Sequence, residues 1–462
     1  MTQPPEDPSS PPVLPMPPIP DAPPLGDAED QASTGVRVRR AAVAFIFITV
    51  MIDILSFGII IPVLPHLIKT MAGGSFVQAA HWVGLFGTVF AIMQFVFSPV
   101  QGALSDHFGR RPVILLSNLG LGLDFLLMSL VNPLPLLFIG RVISGITAAS
   151  FSTANAYIAD VTPPAKRAGA FGLLGAAFGI GFVIGPALGS LLAVVNPRAP
   201  FAAAAVLALV NFGYGFFVLP ESLPPERRST FNWKRANPVG ALLLLRRYPQ
   251  VFGLALTVFL FQLAHYVFNS VFVLYADYRY GWGQQQVGYV LAGVGVLSAF
   301  VQAWLAKRVV HGLGERRTLL LGTVCGAIGF GIYGFATTGW VFLLAMPIGA
   351  LGGLASPVTQ SIMTRQVDPH EQGRLQGSVT SLASTAGIFG PALFTTVFAT
   401  FIGAHAPAHL PGAPFLLSSA LVLVALGIAW WTTGHLHAAG GVTGIDRDGQ
   451  EQGPDSPLRP ET

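Results

Sequence analysis

The sequence predicts an all-α membrane protein: twelve transmembrane helices in two pseudo-symmetric six-helix bundles. Three observations carry that reading. Hydrophobic residues make up 52% of the 462 and charged residues only 10%, where a soluble domain carries roughly 25% charged. So few charges cannot coat a chain of this size, and lipid must cover much of it. Apolar segments of membrane-crossing length recur along the chain, and the second half repeats landmarks of the first at an offset of 205 residues.

The first 35 residues hold eleven prolines and six acids without an apolar stretch. They lack the basic start and cleavage site of a signal peptide, so 1–40 is expected to be a disordered cytoplasmic tail. Six apolar segments follow at about 41–64, 81–104, 113–131, 135–157, 168–194 and 200–219, forming an N-terminal bundle over 41–219. A basic connector occupies 220–249. Six more segments lie at about 250–276, 287–306, 318–337, 340–362, 374–402 and 414–433, a C-terminal bundle over 250–433. The Gly-rich polar stretch 434–462 reads as a second disordered tail.

Charge placement tests that count. With both termini cytoplasmic, 21 of the 25 Lys and Arg fall on the inner side. The outer loops hold Lys69, Arg198 and Arg279, and Arg141 lies inside a span. Such a bias fits one orientation, multi-pass in the inner (plasma) membrane. The repeat agrees: Gly185-Pro186-Ala187-Leu188 recurs as Gly390-Pro391-Ala392-Leu393, and Gly109-Arg110-Arg111 has its counterpart in Gly314-Glu315-Arg316-Arg317. Six-plus-six repeats place a substrate site between the halves.

Several function classes are disfavoured. One cysteine, Cys325, allows no internal disulfide and no cysteine-based zinc site. A net charge of +4 gives no case for nucleic acid. Phosphate-binding loops are lacking, so neither ATP nor any cofactor or metal is expected, and no catalytic constellation suggests an enzyme. The expected partners are the lipid bilayer and a small-molecule substrate, with the chain acting as a monomer.

The loop after the second span reads Gly102-Ala-Leu-Ser-Asp106-His-Phe-Gly109-Arg110-Arg111-Pro112. It resembles the signature G-x-L-x-D-x-x-G-R-R/K-P of the major facilitator superfamily, where this charge cluster holds inner helix ends together in one conformation and releases them in another. The fifth span carries Gly172, Gly181, Gly185-Pro186 and Gly189. These match the family's antiporter motif except that Ser190 replaces its last glycine. Small residues four apart also let another helix approach closely. Arg141-x3-Gly145, Ala156-Tyr157-Ile158-Ala159-Asp160 and Pro62-x2-Pro65 look like the tetracycline/proton antiporter branch. The resemblance implies proton-coupled export of small amphipathic molecules, with tetracycline-like compounds as candidates. The alternative is a proton-linked uptake carrier of the same fold. The second half departs from that branch: its span-nine acid falls on Gly326 and its span-eight histidine on Ser298.

Charges inside a bilayer cost about 2.5–3.5 kcal/mol each on the gentlest scale, so each needs a reason. Asp124 and Arg141 are equidistant from the turn at Asn132–Pro133 and can pair. Asp53, counted twelve residues into span one, shares the depth of Asp124, counted twelve beyond Pro112. Asp53 is expected to be the proton-coupling acid, with Arg141 modulating it and Asp124 completing the set. Asn155, Gln262, His265, Asn269 and Gln302 are candidates for the substrate path, against a default of hydrogen bonding between helices. Phe261, Tyr266, Phe268 and Phe272 either wall an apolar cavity or face lipid.

Overall fold

A computed structural model describes residues 25–148, 150–163, 166–229, 249–368 and 371–438. The described residues contain twelve helices long and apolar enough to span a membrane. They are α1 (Val43–Met71), α2 (Phe76–Phe108), α3 (Arg110–Leu130), α4 (Leu134–Val161), α5 (Gly169–Val195) and α6 (Ala199–Val218). After the connector come α7 (Val251–Ser270), α8 (Gln284–Leu313), α9 (Glu315–Phe335), α10 (Gly339–Arg365), α11 (Leu375–Ile402) and α12 (Ala413–Gly434). Each coincides with an apolar segment read from the sequence, because backbone groups in hydrocarbon must be satisfied within the segment.

The differences lie at the edges. The helix carrying α1 begins at Leu25, so residues 25–40 are helical, not the disordered tail expected. The prolines, the strongest helix breakers of the segment, stop at Pro24. At its other end the helix stops at Ile60 and resumes at Leu64–Met71, with Pro65 in the first turn of the new segment, where proline is tolerated. Lys69, assigned to a loop, therefore sits in a last helical turn. Residues 1–24, 230–248 and 439–462, covering most of the connector and both tail ends, lie outside the described residues.

Helix packing shows the repeat. Within the N-terminal bundle α1 packs on α5 and α6, α3 on α4 and α6, and α2 on α4. The corresponding contacts of the C-terminal bundle are α7 with α11 and α12, α9 with α10 and α12, and α8 with α10. Between bundles the leading contacts are α2 with α11 and α5 with α8, which the same operation exchanges. Gly109 and Gly314, 205 residues apart, both have positive φ, +108° and +76°, at the start of α3 and α9. Only glycine adopts that turn without strain.

Two ends can be distinguished. The basic ends carry Arg110, Arg111, Lys307, Arg308, Arg316, Arg317 and Arg365, and the far ends are opposite. Glycines packed across the bundle interface, Gly84 and Gly87 on α2 and Gly288 on α8, lie toward the far end. Toward the basic end of α5, Gly169, Gly172, Gly175 and Gly179 have open space where a side chain would be. The glycine contacts that join the two bundles thus lie toward the far end, and these four α5 glycines near the basic end make none.

At that far end Lys69 Nζ donates to Asp277 Oδ2 at 2.7 Å, and His66 Nδ1 lies 3.4 Å from the same oxygen. Asp277 belongs to a short helix, Phe272–Tyr280, following α7, so this ion pair ties one bundle to the other. Burial raises the Asp277 pKa, but hydrogen bonds and charge from His66 and Lys69 outweigh it, and the carboxyl sits below its ordinary value. A depressed carboxylate contributes its stabilisation above the ordinary pKa and loses it only as pH falls through the lowered one. We therefore expect protonation of Asp277 to loosen far-end closure, read as thiol labelling between the bundles, only below the ordinary carboxylate range of about pH 4. Asp277→Asn should open the far end at neutral pH.

Candidate functional site

Three groups of polar side chains sit in the N-terminal bundle, and the first surrounds Asp53. This carboxyl is 6% exposed on α1, against Asn118 of α3 and Asn211 of α6, both fully buried. Asn211 Nδ2 donates to Asp53 Oδ1 at 2.8 Å and to the Thr49 carbonyl at 2.9 Å. With its amide turned so that both ends find partners, Asn118 donates to Oδ1 and Oδ2 of Asp53 at 3.1 and 3.0 Å. Its oxygen then accepts from Asn211 at 3.1 Å. Two amides therefore hold the acid, and an amide presents a donor or, rotated, an acceptor. The cage can serve a carboxylate or a protonated carboxyl.

The second group is Asp124 and Arg141, an ion pair between α3 and α4 with side chains 0% and 8% exposed. Arg141 also lies under the ring of Phe90, 5.7 Å from its centroid, and 3.9 Å from Met128 Sδ. Gly140 makes room: a Cβ there would come 2.6 Å from Asp124 Oδ1. The equal depth expected for Asp53 and Asp124 is corrected. Asp53 sits beside Asn118, six residues before Asp124 on α3 and hence about 9 Å nearer the basic end. Counting from the hydropathy edge failed because the helix of α1 starts well upstream of that edge.

The third group is the loop between α2 and α3. Arg110 reaches Asp106 at 2.5 Å, Ser105 at 3.0 Å and Asp160 at the end of α4 at 3.0 Å. Arg111 donates to the Phe216 carbonyl on α6. Glu221, just beyond α6, accepts the backbone N–H groups of Arg110 at 2.8 Å and Arg111 at 3.2 Å, which open α3. It also accepts those of Ser222 and Leu223 at 2.9 and 3.0 Å. A carboxylate there satisfies orphan donors and complements the positive helix end. A Cβ at Gly109 would strike Glu221 Oε2, and Gly102 borders open space. Glu221→Ala should cost about 1–2 kcal/mol of stability, as other lost caps do, and Glu221→Gln less, since an amide oxygen still accepts. Thermal unfolding in detergent measures both.

The fifth-span glycines divide. Gly181, Gly185 and Gly189 press on α1 so closely that a Cβ would meet Ile54, Gly58 and Ile59, while Gly172 borders open space. Ser190 keeps its hydroxyl on the Pro186 carbonyl at 2.9 Å.

The remaining path candidates are scattered. Asn155 is half-buried on α4. Gln262 and Asn269 are exposed on α7, and Gln302 is exposed in a π-helical turn, Val301–Leu305, of α8. His265 uses Nδ1 on the Phe261 carbonyl of its own helix at 2.9 Å, not on another helix. Phe272 is buried and Phe268 half-buried. They join Phe330, Tyr333, Phe342 and Phe415 in an aromatic core of the C-terminal bundle. A Cβ added to Gly326 would lie 3.5 Å from the Phe261 ring, so an apolar ring borders the position where the resembling branch carries an acid. Sequence reading missed Asn211 and Glu221. An Asn in an otherwise apolar span and an acid directly after one were the available signals.

Comparison with known proteins fits this geometry. The family model described as Major Facilitator Superfamily matches residues 46–391. The tetracycline resistance protein, class C, of Escherichia coli is 37% identical over 378 residues, covering 82% of this chain and 93% of that protein. The class B protein of Escherichia coli is 35% identical over 348 residues, covering 75% and 86%. Among solved structures, the human organic anion transporter MFSD10 (TETRAN) shares the fold with a TM-score of 0.63 at 24% identity, covering 85% of this chain and 99% of that one. With its twelve spanning helices in two related bundles, the chain belongs to the Major Facilitator Superfamily of transporters.

Proposed function

We propose that this carrier exports small amphipathic molecules, tetracycline-like compounds among them, in exchange for protons. The observation that carries the reading is Asp53: a buried carboxyl held by two amides that can serve either protonation state. The tetracycline resistance proteins that align over most of the chain favour efflux over uptake. In this reading the basic ends face the cytoplasm, both termini lie there, and the described conformation is inward-facing. Asp53 takes up a proton, and Arg141, anchored by Asp124, sets the field in which it does so. Asp106, Arg110, Arg111 and Glu221 hold the inner ends of α2, α3, α4 and α6 together as the bundles rock. Gly181, Gly185 and Gly189 keep α5 moving with α1.

Everted vesicles test this directly. Acidifying their interior should drive accumulation of a fluorescent tetracycline, and a protonophore should abolish it. Accumulation that ignores the proton gradient, or that follows only an outwardly acidic one, would overturn antiport.

A further inference from the structure

At the far end the bundles meet through two contacts that repeat about the pseudo-twofold axis. Ser190 on α5 and Thr395 on α11 are 205 residues apart, as are Pro186 and Pro391. Each hydroxyl donates to the proline carbonyl one turn earlier on its own helix, Ser190 to Pro186 at 2.9 Å and Thr395 to Pro391 at 2.7 Å. Each side chain then fills a notch left by a glycine of the opposite bundle. A Cβ added to Gly288 on α8 would fall on Ser190 Oγ and lie 2.7 Å from the Pro186 carbonyl. One added to Gly84 on α2 would fall on Thr395 Oγ1 and lie 3.2 Å from Thr395 Cβ. Ser190 and Thr395 are fully buried by these contacts.

We propose that Ser190 in the Gly288 notch and Thr395 in the Gly84 notch form a symmetric pair of shape latches that hold the far end closed. The hydroxyls matter by volume, because their hydrogen bonds run along their own helices. Parting the bundles therefore strands no buried polar group, so opening costs dispersion contacts only. The Lys69–Asp277 pair differs, since separating it leaves two charges to be hydrated anew. A glycine in place of Ser190, as the resembling antiporter motif has it, would leave the Gly288 notch empty. The departure from that motif thus acquires a role at the bundle interface, not merely within α5.

The test needs no substrate, so its failure would leave the transport reading standing. Ala91 lies on α2 seven residues beyond Gly84 and faces Gly387 of α11, where a Cβ would approach it to 3.8 Å. In a Cys325→Ser background, Ala91→Cys reports whether a membrane-impermeant maleimide reaches the interface from the far face in vesicles of known orientation. The parent should label slowly from that face. Gly84→Ala should label several-fold faster, and adding Thr395→Ala should return it toward the parent, since the smaller side chain clears the new methyl group. Ser190→Ala with Thr395→Ala, in the same Ala91→Cys, Cys325→Ser background and with Gly84 intact, should also label faster, as both notches lose the hydroxyl that fills them. This last pair only removes atoms, so it decides the matter even if Gly84→Ala fails to fold. Far-face labelling at the parent rate in the Ser190→Ala, Thr395→Ala protein would overturn the proposal.

Discussion

Asp53→Asn is expected to reduce proton-driven accumulation to background while leaving the protein folded and able to exchange substrate. The substitution is close to isosteric, and the new side-chain oxygen can still accept from Asn211, which now bonds Asp53 at 2.8 Å. What disappears is the proton. A carrier whose acid cannot change charge has no means of making reorientation depend on protonation, so the gradient no longer does work. Counterflow, in which labelled substrate exchanges for unlabelled down its own gradient, needs no proton step and should survive. The two assays in the same vesicles separate a coupling defect from a folding defect. If Asp53→Asn still concentrates substrate against its gradient, some other group carries the proton.

The spans were legible because hydrocarbon enforces long apolar helices, and the repeat was legible because Gly-Pro landmarks survive divergence. Pairing of Asp124 with Arg141 followed from counting about one hairpin, where both residues are measured from the same turn. Counting failed for Asp53, measured from a hydropathy edge inside a longer helix. The cage around it was also out of reach. Asn118 and Asn211 meet Asp53 from α3 and α6, and nothing in a single sequence says which faces of three helices converge. Glu221 was hidden differently: its partners are backbone N–H groups, which every residue has, so no pattern of side chains marks it. Lys69 and Asp277 lie in opposite bundles and become neighbours only through the closure of the far end.

The second large effect is expected at the Asp124–Arg141 pair, and it concerns folding more than transport. Both side chains are almost wholly enclosed, and Gly140 leaves the carboxylate just enough room. Removing one partner leaves the other charge buried without compensation, a loss of about 3–5 kcal/mol in comparable pairs. Arg141→Leu and Asp124→Leu should each lower thermal stability in detergent sharply. The double replacement, Asp124→Leu with Arg141→Met, should recover much of it, because apolar groups of similar volume commonly match a buried pair. Transport distinguishes scaffold from coupling. If Arg141 acts by shaping the field at Asp53, the recovered double variant should fold yet show a displaced pH dependence of exchange. If the pair is scaffold alone, that profile should match the parent. Single variants as stable as the parent would mean that water reaches the charges and the buried-pair account is wrong.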